Sequence, residues 1–187
     1  MKYDRAEAVR YMGAKKDDNE AAVLADLAYL QLRNEVRPRS CWQIFACRVD
    51  DAGVTLVDNG MRFESKNLAG HLQGCQKAAV LAATLGSNAD TVLRRLALTN
   101  VAQAVCAALI ESYCDETEAE IAAAAGLHLK PRFSPGYGDW RLEDQRQLLM
   151  LLDCTKRIGL TLTDGYMLTP IKSVTAVIGL TEDTVCN

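Results

Sequence analysis

Pro131-Arg132-Phe133-Ser134-Pro135-Gly136-Tyr137-Gly138-Asp139-Trp140 is the stretch on which the reading of this chain turns. It carries two of the four prolines and one of the two tryptophans, so its backbone is constrained beyond that of an ordinary loop. Ser134-Pro135-Gly136-Tyr137 has the form of a type II turn. Proline presets the first central residue, and glycine supplies the positive φ needed at the second. Such a turn points backbone N–H groups outward and fixes its flanking side chains. Arg132 lies just before it and Tyr137 closes it. A planar cation and an aromatic face on a rigid turn could hold a carboxylate and a flat heterocycle. Composition alone favours the plainer reading, a surface loop between helix and strand.

Downstream, Leu142–Asp153 has the pattern of an amphipathic helix, with a break near Gly159. Thr161–Thr163 and Tyr166–Leu168 flank Asp164-Gly165, a two-residue hairpin signal. Val174, Ala176 and Ile178 alternate on one face of a last strand. Upstream, residues 88–98 and 100–125 read as two helices, or as one long kinked helix. Before them, Ala78–Gly86 is a continuous run of small apolar residues, either a buried strand or a buried helix. Gly86-Ser87-Asn88 ends that run and starts the next helix, which favours a buried strand. Residues 41–50 are strand-like, and a turn at 50–53 leads into Val54–Val57. A further short strand includes Met61 and Phe63, and Ser65 caps a helix that stops near Gly74.

At the N-terminus, residues 4–12 predict a short helix, broken at Gly13 and the polar run Lys15–Asp18. From Asn19 to Val36 the apolar residues Val23, Leu24, Leu27, Leu30 and Leu32 follow helical spacing, with Pro38 as the stop. Helices and strands come in blocks rather than in strict alternation. That pattern predicts an α+β fold, an antiparallel twisted sheet with flanking helices. The length of 187 residues fits a single domain over 1–187, with residues 1–38 as a helical N-terminal part.

Hydrophobic content of 49% suffices for a real core. The net charge is −3 and basic residues form no block, which argues against nucleic acid as a partner. No apolar run reaches the ~20 residues of a membrane helix, and the charged N-terminus lacks a signal-peptide core. The expected location is cytoplasmic. The seven cysteines form no Cys-x-x-Cys pair, and only His71 and His128 could join them as imidazole ligands. They read mostly as small buried apolar residues, with Cys186 the most exposed; a zinc or iron–sulfur site is the minority reading.

Glu111, Asp115 and Glu118 recur at i, i+4 and i+7 ahead of the turn and would form one acidic stripe on a helix. Unpaired like charges at that spacing destabilise a helix by roughly 0.2–0.5 kcal/mol per pair, a cost that a bound cation would offset. A solvated acidic face is the simpler reading for Glu118 and Glu120. Glu111 follows the apolar run Val105–Ile110 and so starts nearer the core. Arg132 suits a bidentate bond to a carboxylate, or a surface ion pair with Glu143 or Asp144. Ser134 and Ser173 have no histidine in a recognisable relation and no Gly-x-Ser-x-Gly elbow. Neither a phosphate loop nor a dinucleotide fingerprint is present.

Arg132-x-x-x-Gly136-Tyr137, followed by Pro170-Ile-Lys-Ser-Val-Thr-Ala-Val-Ile-Gly179, resembles the activation domain of cobalamin-dependent methionine synthase. The close resemblance covers about residues 100–180. The N-terminal half and Gly138-Asp139-Trp140 look more like standalone relatives of that domain. The resemblance implies that Arg132, Gly136 and Tyr137 bind S-adenosylmethionine, with Glu111 as the acidic contact and Asp115 as a second choice. Tyr137 would stack on adenine or face a partner's cobalamin; it could also be a half-buried loop tyrosine.

Corrinoid modules of the same enzyme carry Asp-x-His-x-x-Gly, and no Asp precedes either histidine here by two residues. Cobalamin is therefore expected only through a partner protein. The resemblance implies an accessory role in reductive methylation, the reactivation of cob(II)alamin in methionine synthase. Flavodoxin or ferredoxin would be the electron donor, and no catalytic side chain is required. Two alternatives remain: a module serving another corrinoid protein, and an independent S-adenosylmethionine-dependent methyltransferase, for which no general base can be named.

Overall fold

The computed structural model describes residues 1–96 and 99–182. The elements in chain order are α1 (Arg5–Tyr11), α2 (Asn19–Leu32), β1 (Arg39–Asp50), β2 (Gly53–Leu56), β3 (Met61–Glu64), α3 (Lys66–His71), β4 (Lys77–Thr84) and α4 (Ser87–Arg95). They continue with α5 (Thr99–Ala125), β5 (His128–Leu129), a 3₁₀ turn (Leu142–Asp144), α6 (Gln145–Leu151), α7 (Cys154–Ile158), β6 (Thr161–Leu162), β7 (Leu168–Thr169) and β8 (Ser173–Thr181). Six strands form one sheet in the order β3-β2-β1-β4-β8-β5, with every neighbouring pair antiparallel. The fold is α+β, as expected.

The central strand β4 explains the layering. Its side chains alternate with period two. Ala78, Val80 and Ala82 face one way, into a core shared with Phe45, Leu68, Trp140, Leu148 and Cys154. Ala79 and Leu81 face the other way and meet Ile121 of α5. Both faces are covered, which is why the run is apolar throughout. Its alanines let helices approach the sheet closely. The first half of α5 is itself covered from outside by α1 and α2, through Ala8, Ala25, Ala28 and Leu32.

The structure departs from the sequence expectations at α2. It buries Ala21, Ala25, Ala28 and Leu32, and leaves Val23, Leu27 and Leu30 half or more exposed. The alanine face admits the close approach to α5 that bulkier leucines would block. The helix also ends at Leu32, ahead of Pro38, because Val36 turns into the core and the Arg37 N–H bonds to the Leu85 carbonyl at 2.9 Å.

The predicted helix over 142–153 is broken into a 3₁₀ turn and α6. Asp153 then adopts φ 49°, and α7 follows at a new angle that buries Cys154 and Ile158 under the sheet. The 164–165 hairpin is a three-residue loop rather than a two-residue one: Tyr166 takes φ 60°, and its N–H bonds to the Thr163 carbonyl at 3.0 Å. Ser65 caps α3 as expected, accepting from the Leu68 N–H at 3.0 Å. The helix stops at His71, short of Gly74. His128 lies in β5 rather than in a loop.

Cys41, Cys47, Cys75, Cys106, Cys114 and Cys154 are all buried free thiols, in keeping with their reading as small core residues. Burial pushes the Cys106 and Cys114 thiols up to about 12. The expectation for Cys186 lies outside the described residues. Among the described residues no helix is long and apolar enough to cross a membrane.

Candidate functional site

The segment after β5 runs on beside β8. The Lys130 N–H donates to the Gly179 carbonyl at 2.9 Å, and Phe133 and Val177 exchange backbone bonds at 2.9 and 2.8 Å. Strand-like alternation then puts Phe133 and Arg132 on opposite sides. Phe133 packs into the core with Trp140, their rings stacked 6.1 Å apart. Arg132 crosses to α5.

There Arg132 meets all three acids of the stripe. One guanidinium nitrogen, Nη2, bonds to Glu111 Oε2. The other, Nη1, bonds to Asp115 Oδ1 at 2.8 Å and to Glu118 Oε1. The i, i+4, i+7 spacing stacks the carboxylates along one helix face within reach of a single planar fork. Burial works against the charge on Arg132, but the bonds from Glu111, Glu118 and Asp115 outweigh it and raise its pKa. Burial likewise raises the Glu118 pKa, against the opposing pull of Arg132.

This corrects two expectations. Glu118 is no solvated residue: its side chain is 19% exposed, the least of the three acids, against 68% for Asp115. The ion-pair partners of Arg132 are on α5, not Glu143 or Asp144.

The turn itself forms as the sequence predicts. Gly136 has φ 93° and the Tyr137 N–H bonds to the Ser134 carbonyl at 3.3 Å. The loop closes when the Gly136 N–H bonds to the Trp140 carbonyl at 2.8 Å. What holds it in place is α3, gripped at both ends. Asp139 accepts from the backbone N–H groups of Lys66 at 2.8 Å and Asn67 at 3.1 Å, and from the Ser65 hydroxyl at 2.5 Å. At the other end Lys130 Nζ donates to the carbonyls of Gln73 at 2.7 Å and His71 at 3.1 Å. Charges of these signs at these ends complement the helix dipole. Below the loop, Trp140 is buried and donates from Nε1 to Asp144 Oδ2 at 3.0 Å. His71 is also structural: its Nε2 lies 2.6 Å from the Pro131 carbonyl and its ring packs on Phe133.

Between the turn, α5, α6 and β8 lies a cavity of about 450 Å³. Glu111 and Arg132 form its charged wall, and Phe133 and Tyr137 its aromatic side. The Tyr137 side chain is largely exposed at its mouth. Gln145, Ser173 and Thr175 add polar groups. Gln145 donates to the Tyr166 carbonyl at 3.0 Å and accepts from the Thr175 hydroxyl at 3.3 Å, so a buried amide is held in one orientation. The structure thus brings Glu111, Arg132 and Tyr137 to one cavity. Gly136 shapes its edge without lining it, and Asp115 stands behind the wall. Sequence reasoning missed Gln145 and Thr175. A threonine inside the apolar run Val174–Ile178 was the available signal.

No protein-family model matches the chain, and no curated protein matches it in sequence. A solved structure does match: the MetH reactivation domain bound to AdoHcy, at a TM-score of 0.70 and 13% identity, covering 99% of this chain and 76% of that one. The six-stranded antiparallel sheet, its flanking helices and their order together give this chain the fold of the MetH reactivation domain.

Proposed function

We propose that this protein binds S-adenosylmethionine in the cleft between α5 and the 132–137 turn, and presents its methyl group to a corrinoid carried by a separate protein. The observation that carries this reading is the Arg132–Glu111 pair on the wall of a cavity with an aromatic side. A fold shared with a domain that binds AdoHcy supports it. The cavity lies within the roughly 300–1,000 Å³ of small-molecule sites. Arg132 would take the ligand carboxylate and Glu111 its ammonium, an exchange of partners within one charged cluster. Tyr137 offers an exposed flat face to a heterocycle, with Phe133 beside it against the core, and Gln145 and Thr175 offer polar groups to its edge.

When bound, S-adenosylmethionine supplies an activated methyl group. The chain's own contribution is positional: it holds the donor where an acceptor can reach it. The acceptor fitting this reading is the cobalamin of a methionine synthase, reduced by a flavodoxin or ferredoxin, so the role is reactivation rather than independent turnover. The test mixes this protein, S-adenosylmethionine, a reductant and a cobalamin-loaded synthase truncated before its activation domain, and follows the cobalamin spectrum. Methylcobalamin should appear with one donor consumed per reactivation. A cob(II)alamin spectrum that persists with every component present would overturn the synthase assignment. Methyl transfer to a small molecule without any corrinoid protein would replace it with an ordinary methyltransferase.

A further inference from the structure

Charge around the cleft is unbalanced. Three carboxylates, from Glu111, Asp115 and Glu118, surround the single guanidinium of Arg132, leaving a net −2 in that cluster. Among the described residues lining the cavity, Arg132 is the one cation. A second cavity of about 540 Å³ lies across the Glu111–Arg132 wall, and Asp4, Glu7, Asp115 and Glu116 line it with Lys2. The acids there are largely paired, Glu7 with Arg10 and Glu116 with the Met1 ammonium, so the surplus negative charge is that of the cluster around Arg132. Arg132 Nη1 is already held by Asp115 and Glu118, so a ligand carboxylate meets chiefly the Nη2 side, where Glu111 must give way. A site built only to bind an amino-acid carboxylate has no need of three acids.

We propose that this surplus of negative charge makes the site discriminate the sulfonium donor from its spent product, with Asp115 and Glu118 acting as specificity residues that do not line the cleft. The inference rests on the S-adenosylmethionine reading above. In methyl transfer the acceptor's electron pair forms the new bond to carbon, the S–CH₃ bond breaks, and its electron pair stays on sulfur. The ligand thereby loses one positive charge and passes from a net cation to a net neutral molecule. The same field that attracts the donor has no such hold on the thioether, so the reaction itself weakens retention of the product. One unit of charge at about 10 Å, with partial screening by solvent and salt, is worth about fivefold in affinity.

Calorimetry on the full chain tests this with two probes, S-adenosylmethionine and S-adenosylhomocysteine. The wild-type protein should bind the donor about fivefold more tightly at low salt, with the ratio shrinking as salt rises. Asp115→Asn should move the ratio toward one. Because that change also frees Arg132 for both ligands, the ratio isolates the sulfonium where single affinities would not. Asp51→Asn, in the turn between β1 and β2 at the far edge of the sheet, should leave the ratio alone. If both ligands bind equally, or the ratio ignores salt and Asp115→Asn, the inference is overturned while the binding reading stands. If neither ligand binds, the proposed function falls and this inference with it. The salt series uses the unaltered protein, so a misfolded variant cannot mask the outcome.

Discussion

Replacing Arg132 by alanine removes one cation from three carboxylates, and the exposures decide what that costs. Asp115 is 68% exposed, so its pair with Arg132 contributes close to nothing, and Glu111 at 36% is little better. Glu118 differs. It is 19% exposed, its partner 22%, and burial already raises its pKa. Breaking a fully buried pair costs roughly 3–5 kcal/mol. Residual solvation reduces this to about 2 kcal/mol for Arg132→Ala, almost all of it from stranding Glu118. The assay is urea unfolding followed by tryptophan fluorescence, since Trp140 is 1% exposed and packs beneath the loop. With a slope of about 2 kcal/mol/M, the midpoint should fall by about 1 M. The second half of the cycle is Glu118→Gln in the Arg132→Ala background. It removes the stranded charge and should restore at least half the loss. An unchanged midpoint for Arg132→Ala, or no recovery in the double variant, would refute the argument that the cluster balances a buried carboxylate.

Gly138→Ala should destabilise the loop by about 1–3 kcal/mol, because φ is +57° and a Cβ would sit 2.4 Å from Asn67 Oδ1; thermal melting measures it, and a melt like wild type would contradict it. The Ser65 hydroxyl and the backbone N–H groups of Asn67 and Lys66 hold Asp139 below the usual carboxylate range. A depressed acid contributes stability that is present above its unfolded pKa and lost as pH falls through the folded one. Docking of the loop on α3 should therefore weaken below about pH 4. Asp139→Asn should lose most of that acid dependence in Trp140 fluorescence, and an unchanged acid transition would tell against it.

How far the sequence could be read depended on whether a signal was local. The 134–137 turn was legible because proline and glycine state their dihedrals directly. Strand β4 was legible because its apolar run, which periodicity leaves open between strand and helix, is cut short by Gly86-Ser87. The buried face of α2 was not: periodicity locates an apolar stripe, but alanine against leucine is decided by how closely α5 approaches. Glu118 appeared solvated because its neighbours along the helix are acids, and the guanidinium that pairs it comes from a distant segment. The grip of Asp139 and Lys130 on the two ends of α3 is likewise non-local, with partners 73 and 57 residues away. Gln145 and Thr175 were missed for the same reason, since they make a pair only once α6 lies over β8.

The claim that this cleft is an S-adenosylmethionine site is tested most directly by calorimetry at neutral pH and low salt, on the wild-type chain and on Arg132→Ala under conditions where both are folded. The account predicts saturable one-to-one binding to the wild-type chain. For the variant it predicts a loss of about tenfold or more, the worth of a charged hydrogen bond at roughly 1.5–3 kcal/mol. No heat of binding at millimolar ligand, or equal affinity in a folded Arg132→Ala, would contradict it.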